Sequence, residues 1–261
     1  RPYQRLHVHG YWNVDATKMS KSLGNVVRPK ELVDTFGVNT LRYFVLREMS
    51  FGLDASFSGD AIQARHNADL ANDLGNLFSR SLAMIDRYTC GQVPEREAGT
   101  ITPDDRALMS AFTATVIDYR ESMDGFRFHK ALQAVWEVIG LLNRYIVTNA
   151  PWEMAKNPRQ ADRLRTVLYF LAESLWKVAV LLRPVMPDAA RKMAAALGME
   201  RQFRNITLDD LQRWGEVPPG TVIDKGAQLF PRVEKKVEIS AAAPVKQPPA
   251  ASAPAESTEG L

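Results

Sequence analysis

The 261 residues are 46% hydrophobic and 24% charged, enough apolar material for one large domain or two ordinary ones, which excludes a wholly disordered chain. Its single cysteine, Cys90, excludes an intramolecular disulfide framework and any multi-cysteine zinc site, and points to a reducing compartment such as the cytosol. The net charge of +3 conceals its placement: residues 1–30 carry a local +5, residues 31–236 are neutral, and residues 237–261 carry −2. A concentrated positive segment on a neutral body points to a local anionic ligand. No apolar run reaches the roughly 18 residues of a bilayer span and the first residues do not read as a signal peptide, so a soluble protein is expected. The chain opens on Arg1 within a segment that already reads as structured, which suggests part of something longer.

In chain order, Leu6 to Trp12 alternates at period two and predicts a strand with Leu6, Val8 and Trp12 on one face. Lys18 to Asn25 is a polar loop. Pro29 suits a first helical position and Gly37 a C-terminal cap, bracketing a short helix, and Asn39 to Glu48 predicts a second with Leu41, Phe44 and Val45 inward. Phe51 to Phe57 reads as an extended or irregular connector. From Ser58, a plausible N-cap, the period becomes helical, with Leu70, Leu74, Leu77, Phe78 and Ile85 on one stripe. Thr102-Pro103-Asp104-Asp105 opens a helix through Leu108, Phe112 and Ile117. Another runs from about Arg127 through Leu132, Val135, Ile139, Leu142 and Ile146. A further one carries Leu164, Leu168, Leu171, Leu175, Val178 and Leu182 before Pro184, and a shorter helix follows Pro187 and ends at Leu197-Gly198. Amphipathic helices joined by short turns describe a bundle, with no solenoid repeat. Residues 237–261 hold seven alanines, four prolines and no aromatic residue, a composition for a tail or linker.

Chemistry concentrates in Lys18-Met19-Ser20-Lys21-Ser22-Leu23-Gly24-Asn25. Two lysines three apart with two hydroxyls, between strand and helix, can place compact cations and donors around a polyphosphate. This string resembles the signature loop of class I aminoacyl-tRNA synthetases. Its setting, with Pro29 and then Asn39-Thr40-Leu41-Arg42-Tyr43-Phe44, is similar to the subclass for methionine, leucine, isoleucine, valine and cysteine. The resemblance implies an ATP-binding loop of Lys18, Met19, Ser20, Lys21 and Ser22, in which Lys21 is the main catalytic phosphate ligand and Lys18 assists.

Two further segments resemble the methionyl-tRNA synthetase family. Asn72 to Arg80 is similar to its first bundle helix, where spacing of four puts Asn76 and Arg80 on one face; Asn143-Arg144-Tyr145-Ile146 and Ala150-Pro151-Trp152 are similar to its anticodon-binding tryptophan element. Taken alone, the first spacing also describes an ordinary amphipathic helix, and Trp152 a half-buried packing residue. The resemblance runs from about Leu6 to Glu234 and includes the closing Leu229 to Glu234, similar to a segment returning to the catalytic side. It implies tRNA(Met), methionine and ATP with Mg2+ as partners, a cytoplasmic translation enzyme, and Asn76, Arg80 and Trp152 as anticodon-binding residues.

The family's His-x-Gly-His motif, methionine pocket and zinc knuckle are absent. His7-Val8-His9-Gly10 has similar letters in another order and reads as surface histidines on a strand; His66 and His129 stand alone, and no metal site is assigned. The expectation is a carboxy-terminal half, inactive by itself. The expected fold is mainly α: a small α/β signature-loop unit (1–57), an antiparallel α-helical anticodon-binding bundle (58–215), a return segment (216–236) and a tail (237–261). Another synthetase of the subclass and a non-catalytic tRNA-binding module remain alternatives.

Overall fold

The computed structural model describes residues 4–14, 17–19 and 27–234. The expected tail and the residues Ser20, Lys21 and Ser22 lie outside them. Strands β1 (Trp12–Val14), β2 (Thr17–Lys18) and β3 (Ala55–Phe57) make a mixed sheet in the order β2-β1-β3. β1 is antiparallel to β2, with Asn13 opposite Lys18, and parallel to β3, with Trp12 opposite Ala55. The predicted strand from Leu6 is thus displaced. Leu6 and Val8 are 81% and 68% exposed, and alternation without a ladder partner does not make a strand. The connector before Ser58 instead supplies β3. Gly10 permits this pairing, because a Cβ there would fall 1.9 Å from the Leu53 carbonyl oxygen.

Helix α1 (Pro29–Phe36) begins on its proline and ends where the Gly37 N–H, at φ +81°, donates to the Val33 carbonyl. Helix α2 (Val38–Glu48) lies between two cores. Its Phe44 joins Leu32, Phe36, Phe57 and Ile62 in a small core edged by Trp12, Val14, Met19 and Val233. Its neighbour Tyr43 joins the large core of the helical body and donates to Asp69 (2.6 Å). Arg42, from the same helix, donates to the Val185 and Pro184 carbonyls at 2.7 and 2.8 Å.

Ser58 caps α3 (Gly59–Arg65) by accepting the Ala61 N–H. The expected continuous α-helix then widens into a π segment (His66–Gly75) before resuming as α4 (Asn76–Thr89). The π segment and the end of α3 carry side chains that hold residues 231–233, Gln63 of α3 donating to the Val233 carbonyl at 3.1 Å. His66 donates from Nε2 to the Pro231 carbonyl (2.8 Å) and accepts the Thr40 hydroxyl at Nδ1 (3.0 Å). Asn67 both donates to the Val233 carbonyl (2.9 Å) and accepts its N–H (3.0 Å). His66 is therefore a buried bridge. α4 closes on Cys90 in the left-handed region at φ +54°.

The body is completed by α5 (Pro103–Asp124), α6 (Phe128–Asn149), the single turn α7 (Pro151–Met154), α8 (Ala161–Leu182) and α9 (Pro187–Ala196). On α5 the inward stripe is Leu108, Phe112, Val116 and Tyr119, whereas the predicted Ile117 is 48% exposed. Five residues past Phe112 lies well off a stripe of three- and four-residue steps. α8 is buried on every side from Thr166 to Leu182, so the other elements wrap around it. It carries a buried Glu173–Lys177 pair (3.8 Å). Glu173 accepts the Glu216 and Val217 N–H groups, and Lys177 donates to the Leu211 and Arg213 carbonyls while lying over Trp214. Burial pushes the Lys177 ammonium down to about 8, with Glu173 opposing the shift. No helix among the described residues is long and apolar enough to cross a membrane.

Candidate functional site

The two sets of sequence-predicted residues occupy different parts of the molecule. Of the polar loop, Lys18 ends β2 opposite Asn13, and Met19 packs against the small core. The loop therefore leaves a paired strand and re-enters the described structure just before Pro29. Ser20, Lys21 and Ser22 fall between these anchors, outside the described residues.

Asn76 is the first residue of α4, exposed, and Arg80 follows one turn later, half-buried. At 100° per residue along α4, Asn76, Arg80 and Arg87 share a stripe, so the exposed Arg87 extends it toward the end of the helix. Arg87 lies 5.6 Å over the Tyr88 ring. The stripe is docked to α6 where Asn143 donates to the Asp73 carbonyl at 3.2 Å. Gly75 is crowded beneath it. A Cβ there would meet the Leu70 carbonyl at 3.0 Å and the Phe230 carbonyl at 3.8 Å, so the start of α4 sits close against the segment around Phe230.

Trp152 lies on α7, one residue past the proline that begins it, and is 37% exposed. The turn into α7 runs through Ala150, held at φ +41° with its N–H on the Ile146 carbonyl. Val147, on the last exposed turn of α6, is 63% exposed. An apolar side chain and an indole left open at one helix end offer stacking area, and Arg80, Arg87 and Arg144 offer cations for phosphate.

Beneath this corner is a buried network that local sequence reading missed. Asp105, at the first turn of α5, is fully buried and accepts hydrogen bonds from the Thr102 N–H (2.7 Å), the Tyr145 hydroxyl (2.5 Å) and both terminal nitrogens of Arg163 (2.5 and 3.1 Å). Burial alone would raise the Asp105 carboxyl, but the Arg163, Thr102 and Tyr145 hydrogen bonds outweigh it and hold it below its ordinary range. The only signal within reach was Asp105 three residues after Thr102; Arg163 lies far along the chain. Elsewhere, His7 stacks on Phe126 at 4.1 Å between ring centres, and Ser50 lies 3.4 Å from His129. Among the described residues no three His, Cys, Asp or Glu side chains converge to hold a metal.

Comparison with known proteins matches two stretches of the chain, and Asn76 and Arg80 fall in the first of them. Residues 1–82 match the family profile "tRNA synthetases class I (M)", and residues 93–241 match "Anticodon binding domain of methionyl tRNA ligase". The methionine–tRNA ligase of Fusobacterium nucleatum is 39% identical over 230 residues, covering 88% of this chain and 36% of the relative. That of Mycobacterium leprae is 41% identical over 245 residues, covering 93% of this chain and 44% of the relative. The chain thus spans well under half the length of these relatives. Among solved structures, Mycobacterium tuberculosis methionyl-tRNA synthetase in complex with methionyl-adenylate superposes with a TM-score of 0.79 at 37% identity, covering 86% of this chain and 43% of that one. Its apo form gives 0.77 at 33% identity, covering 87% of this chain and 43% of that one. With a match to the anticodon-binding domain over more than half its length, the chain belongs to the methionyl-tRNA ligase family.

Proposed function

We propose that this chain serves ATP-dependent activation of methionine and its transfer to tRNA(Met), supplying the phosphate loop and the anticodon interface of a translation enzyme. The observation that carries the reading is the half-open Trp152 corner within residues matched to the anticodon-binding domain of methionyl tRNA ligase. The proposed units are 1–57, the end of a catalytic domain with its loop; 58–215, the bundle; 216–236, the return segment; and 237–261, a tail or linker. Support for an antiparallel bundle comes from one end of the body. There Arg163, at the start of α8, binds Asp105 at the start of α5 and Asn149 at the end of α6, and Leu164 shares a cavity of about 570 Å³ with Tyr88 at the end of α4.

In the loop, Lys21 is the main ligand of the ATP phosphates, with Lys18 assisting and Met19, Ser20 and Ser22 shaping the turn. Lysine ammonium groups stabilise the negative charge that grows as the methionine carboxylate attacks the α-phosphate and pyrophosphate leaves. The reading is supported by the loop's springing from β2 at Lys18 and by Met19 packing on the small core. Mg2+ is assigned only as an ion carried by ATP. On the bundle, Asn76 offers an amide for a base edge, Arg80 a cation for phosphate, and Trp152 an indole face for an unstacked base. In the complete enzyme, Lys21→Ala is expected to slow ATP–pyrophosphate exchange about a hundredfold or more with methionine affinity kept, a transition-state loss of roughly 3 kcal/mol. Trp152→Ala is expected to weaken tRNA charging while exchange continues. Unchanged exchange in the first variant, or equal loss of exchange and charging in the second, contradicts the assignment.

A further inference from the structure

Arg163 from the first turn of α8 and Tyr145 from near the end of α6 meet on the carboxylate of Asp105, in the first turn of α5. Arg163 is forked onto both of its oxygens and is only 14% exposed, so its guanidinium plane is fixed. From that plane Nη2 also donates to the Asn149 side-chain oxygen at 2.6 Å, and Nη1 to the Thr100 carbonyl at 3.1 Å. Asn149 returns a hydrogen bond from Nδ2 to the Tyr145 carbonyl at 3.0 Å. Both ends of its amide are therefore held. Asn149 is the last residue of α6; the left-handed Ala150, Pro151 and Trp152 follow directly.

A buried ion pair adds little net stability over apolar packing of the same volume, and its better-attested use is to select one geometry. A left-handed alanine is itself strained, so the corner needs external restraint to keep a single conformation. We propose that Asp105, Arg163 and Asn149 are positioning residues for RNA recognition: they lock the 149–152 corner so that the Trp152 indole is set for stacking before RNA arrives. The inference rests on the reading of Trp152 as a base-stacking residue. Its physical benefit is preorganisation, because a preset indole loses less freedom on binding.

The test is a double-mutant cycle on the 261-residue chain, titrated with a labelled RNA hairpin carrying the methionine anticodon and with a triplet-substituted control. Trp152→Ala is expected to raise Kd for the cognate hairpin about ten- to a hundredfold, the range for a lost base stack. Asn149→Ala should raise it about five- to tenfold, and the double variant should bind no worse than Trp152→Ala alone. Arg163→Lys keeps a charge opposite Asp105 but loses the fork, and should mimic Asn149→Ala. If the two single effects multiply in the double variant, Asn149 acts independently of the indole and the proposal is overturned. If Asn149→Ala binds normally while Trp152→Ala does not, the positioning role falls and the stacking role stands. If Trp152→Ala itself binds normally, both fall.

Discussion

Asp105 shows how much one carboxylate can organise when no water competes for it. It is fully buried and bonded to residues from two other helices and a turn, and the cost of its burial is met by Arg163, Tyr145 and Thr102 together. Removing the charge leaves Arg163 without its main partner, so Asp105→Asn is expected to lose about 3–5 kcal/mol in urea denaturation at neutral pH. The sign of its pH dependence follows from the lowered carboxyl. Near pH 4 the unfolded chain binds a proton on Asp105 that the native chain does not, so acid favours unfolding. The contribution is complete above the ordinary carboxylate range and is lost as pH falls through the lower native value. Stability measured from about pH 5 down to pH 2 should therefore fall more steeply in the parent chain than in Asp105→Asn. Parallel curves would show that Asp105 does not carry this linkage.

Among the elements, the π segment has the clearest consequence for a neighbour. Val233 is tied to it through Asn67, which pairs with its N–H and its carbonyl as a strand would. Asn67→Ala should speed amide exchange at Val233 by tenfold or more, the equivalent of about 1.4 kcal/mol, while exchange within α8 stays unchanged. Protection retained at Val233 would mean that the Gln63 bond to its carbonyl and the His66 bond to Pro231 suffice. What sequence reveals of such elements depends on range. Thr102 to Asp105, the Pro29 and Gly37 helix ends and the Leu70 to Ile85 stripe are local, and each marks a helix that forms. Pro151, at the first position of α7, is local in the same way. The π widening was not legible, because a 3.6 period cannot report which side chains must turn toward Pro231, 165 residues away. Nor was the Asp105–Arg163 contact, which spans 58 positions, or the left-handed Ala150, which has no residue-type signal.

For the whole molecule, α2 decides whether there are one or two folding units. Tyr43 and Phe44 are adjacent and enter different cores, and Arg42 ties the same helix to the turn between α8 and α9. Neither core can lose α2 without exposing the other. Calorimetry should therefore show one transition, and Phe44→Ala, a loss of about 3–5 kcal/mol, should lower its midpoint as a unit, at roughly 2–4 °C per kcal/mol. A small transition that shifts while a large one stays in place would refute this sharing. Cys90 offers a way to watch the assembled molecule at work. It is the chain's sole cysteine, exposed at the left-handed end of α4 and about 15 Å along that helix from Arg80. A thiol-reactive fluorophore would attach there alone, without any engineered mutation. Placed past the end of the helix that carries Asn76 and Arg80, the dye makes RNA arrival a distance measurement.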